Sequence, residues 1–218
     1  MLLRKLGHAC VRIEQEDARL VIDPGSFSAP DAIEGAHAVL ITHEHVDHVV
    51  PDQIRAAAQR TPDLRIWTNP AVADLLAGTG AHVEAVASGD RFRVADAFDV
   101  LVIGEWHAVI HPDIPRVRNV GYLVDSLVFH PGDALTPPGQ TVDTLLLPVY
   151  APWCKLAEVI DYARTVKPRL AIPIHDALLS DNGLSLVDRL LGPQGPGIGA
   201  SSYRRLGPAD SLDLASAA

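Results

Sequence analysis

The chain is poor in cysteine, methionine and basic residues, and each shortage narrows what it can be. Among 218 residues there are two cysteines and one methionine. Cys10 and Cys154 could pair in principle, but both sit among apolar neighbours and nothing else points to an oxidising compartment, so two buried free thiols are expected. Lys and Arg number 18 against 27 Asp and Glu, a formal net charge of −9. A protein that lies along nucleic acid or on an anionic membrane needs clustered cations, and no basic run is present. Neither a nucleic-acid polymer nor a membrane is therefore expected as a partner. No apolar stretch approaches bilayer-spanning length, and Met1 to His8 carries no long apolar core behind its charges. A signal peptide is thus not expected, and the expected compartment is the cytoplasm. Short-period repeats and low-complexity linkers are missing as well. With 48% hydrophobic residues, that fits one domain over residues 1–218 with a substantial core.

What is present comes first as short apolar or alternating runs bounded by turn residues: Leu2 to Leu6, Ala9 to Ile13, Leu20 to Asp23 and Ala36 to Thr42, read as strands with the first three in a meander. Pro51 to Gln59 reads as a helix, Ile66 to Thr68 as a strand and Pro70 to Leu76 as a short helix. Further strands are expected at 82–86, 91–94, 98–103, 120–124 and 127–130. In the last third, strands at Thr144 to Val149 and Leu170 to Ile174 alternate with helices at Leu156 to Val166 and Leu184 to Leu191, and Gly192 to Gly199 is a loop. Meanders followed by strands alternating with helices predict two sheets packed face to face with helices outside.

The most specific stretch is His43-Glu44-His45-Val46-Asp47-His48, four metal-competent side chains in six residues. A shuffled chain of this composition would produce its H-x-H-x-D-H spacing on the order of twice in a thousand trials. On a helix His43 and Asp47 would share one face while His45 and His48 pointed elsewhere. A loop between the apolar run Ala38 to Ile41 and Pro51 suits the motif better, and there it could serve two metals from two sides. Glu44 and Val46 fall between ligand positions. Imidazole with carboxylate suits Zn²⁺ first, with Mn²⁺ or Fe²⁺ also compatible. His107, Asp133, His175 and Asp23 each follow an apolar run, and residues at strand ends of a layered fold converge on one edge.

Together with Leu6-Gly7-His8-Ala9, Val21-Ile22-Asp23-Pro24, Gly132-Asp133 and Ile172-Pro173-Ile174-His175, this pattern resembles the metallo-β-lactamase-fold hydrolases over nearly the whole chain. Within them it is most similar to the small bacterial metal-dependent hydrolases related to L-ascorbate-6-phosphate lactonase. The resemblance implies an α+β fold, a four-layer αββα sandwich with the metal site at one edge of the two sheets. It also implies that His43, His45 and His107 hold one metal, that Asp47, His48 and His175 hold a second, and that Asp133 bridges them. Two cations roughly 3.5–4 Å apart can share a water, lower its pKa and present hydroxide to an electrophilic carbon or phosphorus. Asp47 could both ligate and orient that hydroxide, which makes it the catalytic candidate. Asp23 is assigned to holding a ligand imidazole or the loop backbone, with a simple turn role equally open. His8 either lines the site or braces its loop, and bracing is preferred.

The chain departs from the family pattern at Ala134, where relatives usually carry Thr, and at Tyr150-Ala151-Pro152-Trp153, where they usually carry glycines. Tyr150 and Trp153 are candidates for shaping the substrate cleft, against a packing role. The segment from His111 to Asn119 is a candidate lid whose Arg116 and Arg118 could meet an anionic substrate, against a solvated loop. His111 and His130 are expected at the surface or in turns.

The leading expectation is a metal-dependent hydrolase that opens an ester, lactone or amide of a small metabolite with a dinuclear-metal-bound hydroxide. A phosphodiesterase acting on a small phosphodiester or nucleotide is the second. An iron-dependent redox enzyme is disfavoured because His45 stands where diiron relatives carry Glu, and a non-catalytic metal-binding protein is disfavoured by the presence of both Asp47 and Asp133. Assembly into a homo-oligomer is left open.

Overall fold

The computed structural model describes residues 1–207 and 210–215. The chain opens with a meander of β1 (Leu2–Lys5), β2 (Val11–Gln15) and β3 (Ala18–Ile22). It continues through β4 (Ala38–Ile41), α1 (Pro51–Arg60), β5 (Arg65–Thr68), α2 (Pro70–Leu75) and β6 (His82–Ala85). A second meander runs through β7 (Arg91–Val94), β8 (Phe98–Ile103), β9 (Gly121–Val124) and β10 (Val128–His130). After it come β11 (Thr144–Pro148), α3 (Leu156–Val166), β12 (Leu170–Ile174), α4 (Asp181–Leu191), β13 (Ser202–Tyr203) and β14 (Ser211–Asp213).

Two seven-stranded sheets result among the described residues, ordered β14-β1-β2-β3-β4-β5-β6 and β13-β12-β11-β10-β9-β8-β7. Side chains alternate across each strand, which gives every sheet two apolar faces. Leu40 points inward with Leu3, Ile13 and Leu20 to meet Phe98, Val100, Tyr122 and Ile172 of the other sheet. Val39 and Ile41 point outward against Ile54 and Ala57 of α1 and Val72 of α2. On the far side, Leu145, Leu147 and Ala171 pack against Val159 and Ala163 of α3 and Val187 and Leu191 of α4. The order of layers is therefore helix, sheet, sheet, helix, the α+β sandwich expected from the sequence.

The helices form where their sequences favour them. Pro51 occupies a position whose N–H would be unpaired in any case, and Asp52 and Arg60 lie at the ends that suit their charges. Chain after α3 turns out through Lys167, which adopts a left-handed φ of 52°. Helix α4 begins at Asp181 rather than Leu184, because Ser180 accepts a hydrogen bond from the Gly183 amide and caps it. The second strand differs from the sequence reading at both ends. Ala9 and Cys10 belong to a turn closed by the Cys10 amide on the Gly7 carbonyl at 2.7 Å, so β2 starts at Val11. The second strand then runs out to Gln15, which pairs with Ala18 across a two-residue connection. Both cysteines are free; Cys10 is buried and Cys154 only partly so.

The two sheets repeat one plan. Each has antiparallel strands followed by parallel ones joined through helices: β1-β2-β3 then β4, β5, β6, and β8-β9-β10 then β11, β12, β13. Strands β1, β3, β4 and β5 run one way, and so do their counterparts β8, β10, β11 and β12. Their C-terminal ends carry His8, Asp23, the Thr42-to-His48 loop and Asn69 in the first half, and His107, Asp133, the Tyr150-to-Trp153 loop and His175 in the second. The final strand β14 returns to the first sheet and pairs with β1, placing Leu212 opposite Leu3. Beside it, Lys5 Nζ donates to both carboxylate oxygens of Asp176 at 2.6 and 2.7 Å, and Arg205 links Asp176 to Asp188 of α4.

Candidate metal centre

The polar ends of these strands meet at one edge. Their potential ligand atoms fall into two groups, His43, His45, His107 with Asp133, and His8, Asp47, His48 with His175, and within each group all lie within 4.8 Å of one another. Asp133 stands between them. Its Oδ2 is 3.4 Å from His107 Nε2 and 3.1 Å from His175 Nε2, while its Oδ1 is 3.2 Å from His48 Nε2. The sequence candidates His43, His45, Asp47, His48, His107, Asp133 and His175 are thus gathered at one place.

The backbone that presents them is tightly determined. His8, Asp23 and His175 all have left-handed φ values, 47°, 53° and 59°, a conformation that costs a residue with a Cβ roughly 1–2 kcal/mol. Contacts hold each one there. The Asp23 carboxylate accepts from the Thr42 amide, the Thr42 hydroxyl and His48 Nδ1, all at 2.7 Å. The His175 amide bonds to the His8 carbonyl at 3.0 Å. Gly25 allows the loop after β3 to lie directly on the motif, since a Cβ there would sit 1.9 Å from the carbonyl carbon and oxygen of Asp47.

Hydrogen bonds also fix which ring nitrogen of each histidine is free. Nδ1 of His48 donates to Asp23, that of His107 to the Ala108 carbonyl at 2.6 Å, and that of His175 to the Tyr150 carbonyl at 2.5 Å. The Thr42 hydroxyl donates to Asp23, so it accepts from His43 Nδ1 at 2.9 Å. An imidazole protonated at Nδ1 keeps its lone pair on Nε2. His43 Nε2 lies 3.0 Å from His45 Nδ1. His8 is the opposite case. Its Nδ1 accepts from the Ala177 amide at 3.2 Å, so its Nε2 carries the proton and donates to Asp47 Oδ2 at 3.2 Å.

A cation fits this donor set. His48 Nε2, His107 Nε2, His175 Nε2 and Asp133 Oδ1 are buried, face the centre and have no aligned hydrogen-bond partner among the described residues. Leaving such an atom unsatisfied costs about 1–3 kcal/mol, and four converging on one spot are hard to reconcile with a merely structural cluster. Nitrogen and carboxylate donors with no thiolate match Zn²⁺, Mn²⁺ or Fe²⁺.

Burial and neighbouring charges pull the titratable groups of the centre in opposite directions. Burial works against a charge on His48, yet the Asp133 and Asp23 carboxylates hold it well above the usual imidazole range. Burial likewise opposes charge on His175, but the Asp133 and Asp47 carboxylates beside its Nε2 raise it to about 9. The carboxyl groups move the other way. Burial would raise Asp47 and Asp133, but bonds from His175 and His8 hold Asp47 well below the usual carboxylate range, and His48, His107 and His175 do the same for Asp133. Burial keeps His43, His45 and His8 below the ordinary value.

The remaining candidates stand as follows. Asp23 is fully buried and holds His48 and the motif backbone. Trp153 is buried too, and its indole Nε1 donates to Asp133 Oδ2 at 3.0 Å. Tyr150 is exposed at the edge. Arg116 and Arg118 both bond within their own loop, and Arg116 also lines the pocket beside His45 and His107. The first donates through Nε to the His107 carbonyl, and the second pairs with Glu105 and lies over the Trp106 ring at 3.8 Å. That loop is closed at its base by a Trp106–Arg118 bridge and by the His107 amide on the Val117 carbonyl at 3.1 Å. Its tip brings Val109, Ile110, Ile114 and Pro115 beside His45 and His107. His111 is exposed, as expected, but His130 is not at the surface. It is fully buried and donates from Nε2 to the Ala9 carbonyl at 2.9 Å, which ties the two sheets together.

Two asparagines belong to the centre that the sequence reading passed over. Asn119 accepts from the Asp133 amide and donates to the Pro131 carbonyl, both at 2.9 Å. Asn69 donates to the Thr42 carbonyl at 2.9 Å and caps α2. The available signal was position alone, since Asn69 follows an apolar run and Asn119 precedes one.

Comparison with known proteins gives the following. The description "Beta-lactamase superfamily domain" matches residues 2–175. Protein Rv0786c of Mycobacterium tuberculosis is 40% identical over 186 residues, covering 83% of this chain and 86% of its own. A UPF0173 metal-dependent hydrolase of Methanocaldococcus jannaschii is 25% identical over 187 residues, covering 78% and 81%. Among solved structures, the metallo hydrolase Igni18 of Ignicoccus hospitalis shares the fold with a TM-score of 0.72 at 18% identity, over 97% of both chains.

Proposed function

The chain belongs to the beta-lactamase superfamily and is a metal-dependent hydrolase, and from that premise we propose that it hydrolyses an ester, lactone or amide of a small metabolite at a dinuclear centre. His43, His45 and His107 would hold one ion, Asp47, His48 and His175 the other, with Asp133 shared. The observation that carries this reading is the set of buried ring nitrogens whose opposite nitrogens are pinned by Asp23, Ala108 and Tyr150, leaving Nε2 of His48, His107 and His175 turned to the centre with no aligned hydrogen-bond partner among the described residues. Two divalent ions, Zn²⁺ before Mn²⁺ or Fe²⁺, would supply Lewis-acid polarisation of the scissile carbonyl and acidify the attacking water.

The chain's own residues supply the rest. Asp47 is the partly exposed carboxylate of the centre, held ionised by His8 and His175. It can orient the water, take its proton and return that proton to the oxygen or nitrogen that leaves as the C–O or C–N bond breaks. His8 donates to the same carboxylate oxygen and keeps it aimed. Asp23, Asn119 and Trp153 hold His48, the Asp133 backbone and the Asp133 carboxylate in turn. Fixing ligands through such partners is what keeps a metal site in one geometry. The net charge of −9 supports a small molecule rather than a nucleic-acid polymer as substrate. Free Cys10 and Cys154 support a reducing compartment, the cytoplasm.

The test is metal analysis of the purified protein followed by assay of neutral esters, lactones and amides beside bis-nitrophenyl phosphate, before and after Zn²⁺ or Mn²⁺ is added. Two ions per chain and metal-dependent cleavage of a carboxylic substrate are expected. Protein that binds no transition metal, or cleaves only the phosphodiester, overturns the reading.

A further inference from the structure

Large apolar side chains are exposed unevenly on this protein. Phe27, Val46, Val109, Ile114, Tyr150 and Leu178 are each between 42% and 63% exposed, and they make up six of the ten exposed large apolar residues among those described. Scattered exposed apolar residues are ordinary, whereas a concentration of them is not. These six come from five separate loops, and each loop touches the metal centre. Phe27 packs edge-on against the His8 ring at 5.3 Å. Val46 lies between His45 and Asp47, and the Tyr150 carbonyl accepts from His175. Leu178 follows Ala177, whose amide bonds to His8. Val109 and Ile114 wall a small pocket whose other side is His45 and His107.

Arg118 is engaged with Glu105 and the Trp106 ring. Arg116 lines the same pocket and gives its Nε to the His107 carbonyl. Beside that one guanidinium group, the loop lines the pocket with valine, isoleucine and proline.

We infer that the substrate presents an apolar, uncharged aryl or alkyl group next to its scissile bond, and that this group rests on Val109, Ile110 and Ile114 while the bond lies over the centre. The inference builds on the hydrolase reading and narrows its substrate class, selecting against phosphorylated or polyanionic metabolites. The occupant is a substrate because the apolar wall is continuous with His45 and His107, and whatever covers it must bring a reacting group within reach of them.

The experiment uses the full-length, metal-loaded protein and the Val109→Ser/Ile114→Ser double variant, whose side chains are exposed enough to leave the core intact. On nitrophenyl esters from acetate to octanoate, kcat/KM should rise about two- to fourfold per added methylene until the wall is covered. A succinyl or phosphorylated ester of equal length should be poor. The double variant should flatten the chain-length dependence while leaving metal content unchanged. Calorimetric binding of hexanol to the metal-free protein, weakened in the double variant, gives a readout independent of turnover. A preference for anionic esters, or equal rates along the series, overturns the inference while leaving the hydrolase reading intact. Loss of every ester activity with metal bound sinks that reading instead. A wild-type dimer that the double variant dissociates, with ester preference unchanged, overturns the inference by giving the rim to a second copy.

Discussion

The indole nitrogen of Trp153 donates to Oδ2 of Asp133 at 3.0 Å, from a side chain that is itself buried. Asp133 touches both groups of ligand atoms, so whatever aims its carboxylate aims the whole centre. Trp153→Phe removes the N–H and keeps most of the ring. We expect a folded protein whose metal affinity falls about 10- to 100-fold, measured by competition with a chromophoric chelator. Unchanged affinity would assign Trp153 to packing alone.

His8 separates holding a metal from aiming a base. Its Nε2 proton faces Asp47, because Nδ1 is taken by the Ala177 amide. In His8→Ala the metal content should be preserved and kcat should drop about tenfold or more with KM little changed. A variant that loses one ion instead would make His8 a ligand.

The metal-free protein should be pH-sensitive in a defined direction. Against the pull of burial, the neighbouring Asp133 and Asp47 carboxylates raise His175 in the folded state from 6.5 to about 9. A raised pKa contributes stability that is complete below pH 6.5 and is lost as pH climbs through 9. Calorimetric scans of chelator-treated protein should show Tm falling by roughly 5–10 °C across that window. Metal loading displaces the protons and should flatten the curve. A metal-free Tm that is constant or rises between pH 6.5 and 9 contradicts the arrangement.

Gly25 is required for space rather than for its backbone angle. A methyl group there would overlap the Asp47 carbonyl, so Gly25→Ala should push the motif loop away from the loop after β3. Expected outcomes are a Tm lowered by more than about 5 °C and sub-stoichiometric metal. Native Tm with full metal content would mean that the two loops are free to separate.

Much of the layout was readable in the sequence. Strands of this fold are short apolar runs, and their ends are marked by single polar residues, so Asp23, His107, Asp133 and His175 stand out without coordinates. Sequence spacing does not record direction. Trp153 reads as bulk for a cleft, yet its one polar atom reaches back across 20 positions to Asp133. Arg118 reads as a receptor for an anion, and local pairing with Glu105 and Trp106 turns it away. His130 looked like a turn residue, because the Ala9 carbonyl that satisfies it lies 121 positions off. The apolar rim was equally hidden. Phe27, Val109 and Leu178 belong to loops whose shared neighbourhood exists only after the sheets have met.

Each of the two ligand groups is divided between the halves of the chain. His43 and His45 come from one half and His107 and Asp133 from the other; His8, Asp47 and His48 face His175 in the same way. Neither sheet alone owns either group of candidate ligands, so bound ions would act as rivets between them. A chain severed in the Ala87-Ser88-Gly89 link, its pieces made separately and then mixed, should take up metal only as the pieces dock, which would make metal content a direct gauge of their reunion.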